Sequence, residues 1–342
     1  MTISNSRRVL YVIGFAALVA AAIIVARLSS GMRTTQGAAP AGAAPSSAPT
    51  WEQLMGRSVQ ARKAGEIREA ESLLEQAVIL AATFDAHDMR RPHTRMAQAE
   101  FHLWSGRPEL AEEAYKEAVT IGESTGGANH PEMVSLWEGL ANFYYYRERY
   151  DEVVPIYARI LQTVRVATPP DPHEEARRLR NLARVHQLRG KYAEAVPHFL
   201  HALRLIETSP RRSPGEIAEY LQAAAECYRA WKKPSLAEPL AARAVVLIEG
   251  LAGPDALDVL PYLETLAKVS ADAGKPQRAV GVYERAIAIV ERVSGADNSD
   301  LAPYLHGLAD ALRAQGKLRE AQTHGTRAAA ITDSSTDKAI PP

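Results

Sequence analysis

A single cysteine, Cys227, in 342 residues excludes an internal disulfide and any cysteine-built metal cluster. Forty lysines and arginines balance forty aspartates and glutamates, so no global basic surface exists to draw in nucleic acid. Aromatic residues are scarce, at 6%. No GxxxxGK(S/T) phosphate loop occurs, which removes a nucleotide-driven regulator, and no HExxH occurs, which removes that type of zinc hydrolase. Against these absences stand 46% apolar and 23% charged residues, the composition of a folded protein. Alanine, glutamate and arginine are abundant, and they lose little rotamer freedom in a helix. The chain reads as all-α.

The amino terminus is different in kind. Residues 1–8 form a short basic segment with Arg7 and Arg8. Val9 to Ala26 then carry no charge over eighteen residues, and Arg27 follows. Such a helix rises about 27 Å, close to the thickness of a bilayer core. A cleaved signal has a shorter apolar core and a small-residue cleavage site, where this chain places Arg27 and Leu28. Residues 9–28 are therefore expected to be an uncleaved, single-pass transmembrane anchor. Arginines on both flanks bias the orientation weakly toward a cytoplasmic amino terminus. The larger part would then be periplasmic, or otherwise extracytoplasmic. Residues 29–50 are mostly small residues and prolines. They cannot bury enough apolar surface to offset ordering, and they read as a flexible linker reaching roughly 25 Å.

Residues 51–333 repeat. Ala70, Ala111, Val153, Ala195, Ala237, Ala279 and Ala321 recur at spacings of 41, 42, 42, 42, 42 and 42. Twelve residues upstream stand Ser58, Ala99, Ala141, Ala183, Ala225, Ala267 and Ala309. Seven residues downstream stand Ala77, Ala118, Ile160, Ala202, Ala244, Ala286 and Ala328. Two antiparallel helices approach closely only where small side chains meet at the crossing, and these columns supply them. A turn glycine follows each first helix at Gly65, Gly106, Gly190, Gly274 and Gly316, replaced by Glu148 and Lys232 in units three and five. Larger residues (Leu74, Tyr115, Tyr157, Phe199, Tyr283) fill the gap toward the next hairpin. In the last unit that place is Gly325 among polar residues, as expected of an end with no neighbour. Residues 334–342 read as a disordered tail.

The stretches LARVHQLRGKYAEAVPHFLHAL and GGANHPEMVSLWEGLANFYYYRERYDE, with the 42-residue period, resemble tetratricopeptide repeats of the kinesin light chain branch. The resemblance implies a right-handed superhelical solenoid of seven helical hairpins whose first helices line a concave groove. It implies protein or peptide binding, with no cofactor, metal or small-molecule substrate. That branch places an asparagine before the leucine–alanine of the first helix; here Asn181 alone matches, while Gly139, Ala223, Thr265 and Gly307 depart from it.

No set of residues converges on catalysis. The GxSxG string at Gly122–Gly126 lacks the strand that a nucleophile elbow needs ahead of Ser124. His198 and His201 form an HxxH pair, read as a solvated helix face, since two histidines make a poor metal site. Cys227 lies two residues from an alanine column and reads as packed. The informative positions are those expected on the concave face. In unit four Arg177, Arg180 and Arg184 share one helix face, with Asn181 and Gln187 beside them; unit three offers Asn142, Tyr145 and Tyr146; unit two offers Trp104. An arginine row beside aromatic rings suits an acidic segment with an apolar anchor. The competing possibility is a solvated charged face neutralised by Glu219 and Glu226 of unit five. Two functions follow: a membrane-anchored interaction scaffold or assembly factor, or a structural, non-catalytic subunit of an envelope enzyme or secretion complex.

Overall fold

The computed structural model describes residues 48–167 and 169–337. The expected transmembrane helix and basic segment, and most of the expected linker, lie outside the described residues. Among the described residues no helix is long and apolar enough to cross a membrane.

The described part of the chain is fourteen α-helices and one short 3₁₀ turn, with no strand among them. They pair as α1 (Trp51–Ala64) with α2 (Ile67–Ala81), α3 (Arg90–Trp104) with α4 (Pro108–Gly126), and α5 (Met133–Tyr146) with α6 (Tyr150–Val166). Next come α7 (Pro172–Leu188) with α8 (Tyr192–Thr208), and α9 (Pro214–Ala230) with α10 (Pro234–Ala252). The array ends with α11 (Leu260–Asp272) and α12 (Pro276–Ser294), then α13 (Leu301–Ala314) and α14 (Leu318–Asp337). The first helix starts where Thr50 closes a capping box with Gln53. The last runs to Asp337, past the boundary expected at 333.

The small-residue columns are the hairpin crossings. Every member of all three is buried, the most exposed being Ser58 at 4%. The turn position is left-handed in all seven units, including Glu148 at φ 58° and Lys232 at φ 59°. Glycine takes that conformation without a Cβ clash, which is why it dominates the column. Adjacent hairpins are matched by size. A Cβ on Gly307 would clash with Cζ of Tyr283, and one on Gly139 would sit 3.1 Å from Tyr115. The place where the family pattern has asparagine is here the floor under the preceding unit's large residue. Glycine lies below Tyr115 and Tyr283, whereas Tyr157 stands one unit before Asn181 and the smaller Ala241 one unit before Thr265.

Successive first helices approach one another closely at α3–α5, α9–α11 and α11–α13, whereas no comparable approach occurs between successive second helices among the described residues. An array whose first helices are closer together than its second helices curves with the first helices inside. The second helices are instead tied across the wider gap by long ion pairs. Glu123–Arg159, Glu207–Arg243, Glu249–Arg285 and Glu291–Arg327 recur at 2.5–2.7 Å, each joining consecutive units.

Candidate functional site

The inner face carries the residues singled out above. Trp104, Asn142, Tyr146, Arg177 and Arg184 are exposed, and Tyr145, Arg180, Asn181 and Gln187 are half-buried. None is consumed by the core. They do not, however, form one continuous strip. Arg177 and Arg180 lie in the amino-terminal half of α7, whereas Tyr145 and Tyr146 close α5 at its carboxy-terminal end. At about 1.5 Å per residue, Arg177 is some 15 Å along the helix from Gln187, the unit-four counterpart of Tyr145. The aromatic cluster is its own structure: Tyr145 makes edge contacts with Tyr146 and Tyr150, both at 5.7 Å. Trp104 packs on Phe101 instead, with ring centroids 5.8 Å apart.

The arginine row is unequal as well. Arg177 is held by Glu174 at 2.8 Å, one turn away on the same helix. Arg180 reaches Glu219 of α9 at 3.4 Å and lies over the Tyr220 ring at 5.0 Å. Both line a cleft of about 370 Å³ between α7 and α9, with Asp171, His173, Arg211 and Glu216 on its walls. Its charges are mixed, so the neutralised-face possibility describes these two arginines. Arg184 is different, with no ion pair among the described residues. Beside it on the same face, the Gln187 Oε1 is buried without a hydrogen-bond donor. An unneutralised guanidinium and an unmatched carbonyl oxygen thus stand side by side, with Asn142 and Tyr145 on the preceding unit.

Arg178 escapes the sequence pattern. The row at i, i+3 and i+7 selects the outward face and passes over it. Arg178 is 3% exposed, wedged between units three and four, and bound by Glu138 and Glu174. Glu138, one repeat upstream, and Glu174, four residues back, were the signals that could have found it.

Glu100 of α3 has neither a hydrogen bond nor an ion pair among the described residues. Burial against the inner face raises its carboxyl to about 7, against a weaker opposing pull from Arg62. The expected solvated HxxH face is corrected for His198, which is half-buried and stacked on His186 with centroids 5.6 Å apart. Burial, followed by the nearby His186, lowers its basicity. Cys227 is fully buried and its thiol is pushed up to about 11, as a packing residue should be. Ser124 sits in the last turns of α4, its hydroxyl donating to the Ile121 carbonyl, so the GxSxG string builds no elbow. Among the described residues no three acidic, histidine or cysteine side chains gather as metal ligands.

The geometry defines a class first: a curved solenoid of helical hairpins with a variable inner face. The tetratricopeptide repeat family model matches residues 88–165, 132–208, 174–249 and 258–334, well over half of the sequence. The chain belongs to the tetratricopeptide repeat family. Among solved structures it is similar to BtubC (BKLC) from P. vanneervenii, at 18% identity and TM-score 0.53, over 73% of this chain and 94% of that one. It is also similar to a putative kinesin light chain from Podosopora anserina with nearly identical TPR-like repeats, at 20% identity and TM-score 0.51, over 59% and 95%. A third is a signal transduction ATPase with a tetratricopeptide repeat sensor from Pyrococcus horikoshii, at 14% identity and TM-score 0.59, over 84% of this chain and 43% of that one. These likenesses establish the fold alone. A search of curated proteins found no match.

Proposed function

We propose that the chain is a membrane-anchored scaffold whose inner face holds an extended, acidic segment of a partner protein. The apolar run from Val9 to Ala26 supports the anchor, and its flanking arginines support an extracytoplasmic solenoid. The observation that carries the binding reading is Arg184, exposed on the inner face with no carboxylate partner among the described residues. A partner carboxylate would neutralise it with a charge-assisted hydrogen bond. Tyr145, Tyr146 and Tyr150 would receive the apolar anchor along the same helix ends. Arg177 and Arg180 already have carboxylate partners and contribute less.

The test is capture from a membrane extract with the wild type, Arg184→Glu and Arg177→Glu, at low and high salt. Arg184→Glu should lose the partner, Arg177→Glu should retain most of it, and salt should weaken capture. Equal capture by all three would place the binding surface elsewhere. It would favour a purely structural subunit of an envelope complex.

A further inference from the structure

The turns inside the hairpins lie along one edge of the solenoid, and the loops between hairpins lie along the other. The chain is neutral overall, yet its charges are divided between these edges. The seven turns (65–66, 105–107, 147–149, 189–191, 231–233, 273–275 and 315–317) hold nine lysines and arginines against two glutamates. The six loops (82–89, 127–132, 167–171, 209–213, 253–259 and 295–300) hold two arginines against eight aspartates and glutamates. Including four helical residues on either side leaves sixteen basic to nine acidic on the turn edge, and six to fifteen on the loop edge. Helix dipoles do not account for this, because each edge receives amino termini from one set of helices and carboxy termini from the other.

The turn edge also differs in what its cations touch. Arg107, Arg149 and Lys275 are bound by Glu71, Glu112 and Glu238 of the neighbouring hairpin. Arg147, Lys191, Lys232 and Lys233 have no ion pair among the described residues. Lys233 instead stands 3.4 Å over the Trp231 ring, and Arg147 lies 5.4 Å from Phe143. Lys232 occupies a turn place that five other units give to glycine, and it holds a left-handed φ of 59° with its side chain in solvent. Glu148 does the same in unit three, between Arg147 and Arg149. Both aromatic residues among the exposed large apolar side chains are on this edge: Trp104 at 41% and Tyr146 at 51%. Exposed aliphatic residues occur on both edges, Leu188, Leu236 and Leu318 here and Val166, Leu251 and Val293 on the loop edge, so the rings set the turn edge apart.

Free cations interleaved with tryptophan, tyrosine and leucine match one environment. At the headgroup level of an anionic bilayer, amphipathic rings sit half in apolar surroundings, and lysine and arginine meet lipid charge. We propose that the turn edge rests on an anionic membrane surface, with Trp104 and Trp231 at headgroup depth and the acidic loop edge facing away. The proposal goes beyond the anchor reading and does not depend on it. The competing occupant is a second copy, basic edge against acidic edge. The bilayer is favoured because the exposed rings are confined to the basic edge.

Two of the four tryptophans, Trp51 and Trp137, are buried, whereas Trp104 is exposed and Trp231 half-buried, so lipid quenching of these two reports on this edge. The full chain is mixed with brominated-acyl vesicles, made either of phosphatidylcholine or of phosphatidylcholine with phosphatidylglycerol. Tryptophan fluorescence should be quenched several-fold more by the mixed vesicles, and added salt should remove the excess. Trp104→Phe with Trp231→Phe should abolish the excess. Arg147→Gln, Lys232→Gln and Lys233→Gln together should shrink it while leaving helix content unchanged. Flotation with phosphatidylcholine alone reports the apolar run separately, because that association needs no lipid charge. Equal quenching by both vesicles, or an excess that survives the tryptophan replacements, would overturn the proposal. So would a salt-sensitive dimer in sedimentation that is lost in the triple variant, with no lipid-dependent quenching.

Discussion

Hairpin two carries a carboxylate on each of its helices, and the two are displaced in opposite directions. Glu112 on α4 is lowered to about 2 by Lys116, 2.7 Å away, and by Arg149 of the next unit at 2.6 Å. Glu100 on α3, facing inward, is raised to about 7 by burial without a partner. The contrast extends along the array. The outer face is laced from unit to unit by recurring carboxylate–arginine pairs. The inner face changes character at every unit and leaves Glu100, Arg184 and Gln187 unmatched. A face that repeats serves the array itself, because each unit needs the same contact with the next. A face that does not repeat, and holds polar groups without partners, is where an outside ligand can gain most.

Four changes break or sharpen this contrast. The largest concerns Ala183, the crossing that holds both layers of unit four together and is fully buried. Ala183→Leu overpacks it and should cost roughly 1–3 kcal/mol, visible as a lower thermal midpoint. An unchanged midpoint would mean the column is not the contact. Next is Glu100→Gln. The folded chain binds this proton more readily than the unfolded one, so the carboxylate's cost is absent near pH 4 and fully present above pH 7. The variant should therefore be more stable at pH 8 by about 1–2 kcal/mol and unchanged at pH 4, by denaturant titration at both. Glu112→Gln should have the opposite sign. Its stabilisation is present above the ordinary carboxylate range and fades as pH falls toward 2, so the loss at pH 7 should be about 1 kcal/mol and vanish in acid.

The smallest effect is a gain. Between units three and four the ladder places hold Arg165 and His201, and Arg165 turns away to Glu175 at 2.7 Å. Arg165→Glu with His201→Arg would install the missing rung. Stability should rise by about 0.5 kcal/mol at most, since such pairs are largely exposed. A loss would show that this junction is built differently on purpose, with buried Arg178 as its tie.

The hairpins, their number and their crossings were legible because a 42-residue period constrains small residues at fixed places, and a helix leaves little choice about which of them meet. The turn column was legible for the same reason, even at Glu148 and Lys232, whose left-handed backbone follows from position rather than from residue type. Of the expected inner-face residues, Trp104, Asn142, Tyr146, Arg177 and Arg184 stand in solvent, and Tyr145, Arg180, Asn181 and Gln187 are half-buried. Their grouping was not legible, because helical spacing fixes the direction of a side chain but not its distance from residues one unit away. Periodicity set an arginine row beside aromatic rings on one face, while the structure gives an aromatic cluster, a neutralised cleft and a lone arginine.

By itself the sequence determined the repeat, the all-α class, the buried columns and the presence of an eighteen-residue apolar run ahead of the solenoid. These depend on local spacing and composition. Only the tertiary structure decided which charges cancel. Arg177, Arg178, Arg180 and Arg184 look alike in a string of letters, yet one is tied along its own helix, one is buried between units, one is shared with the next unit and one is left without a carboxylate. The reason is physical: an ion pair is a matter of a few ångströms between side chains thirty or forty residues apart, and the curvature of the array sets that distance.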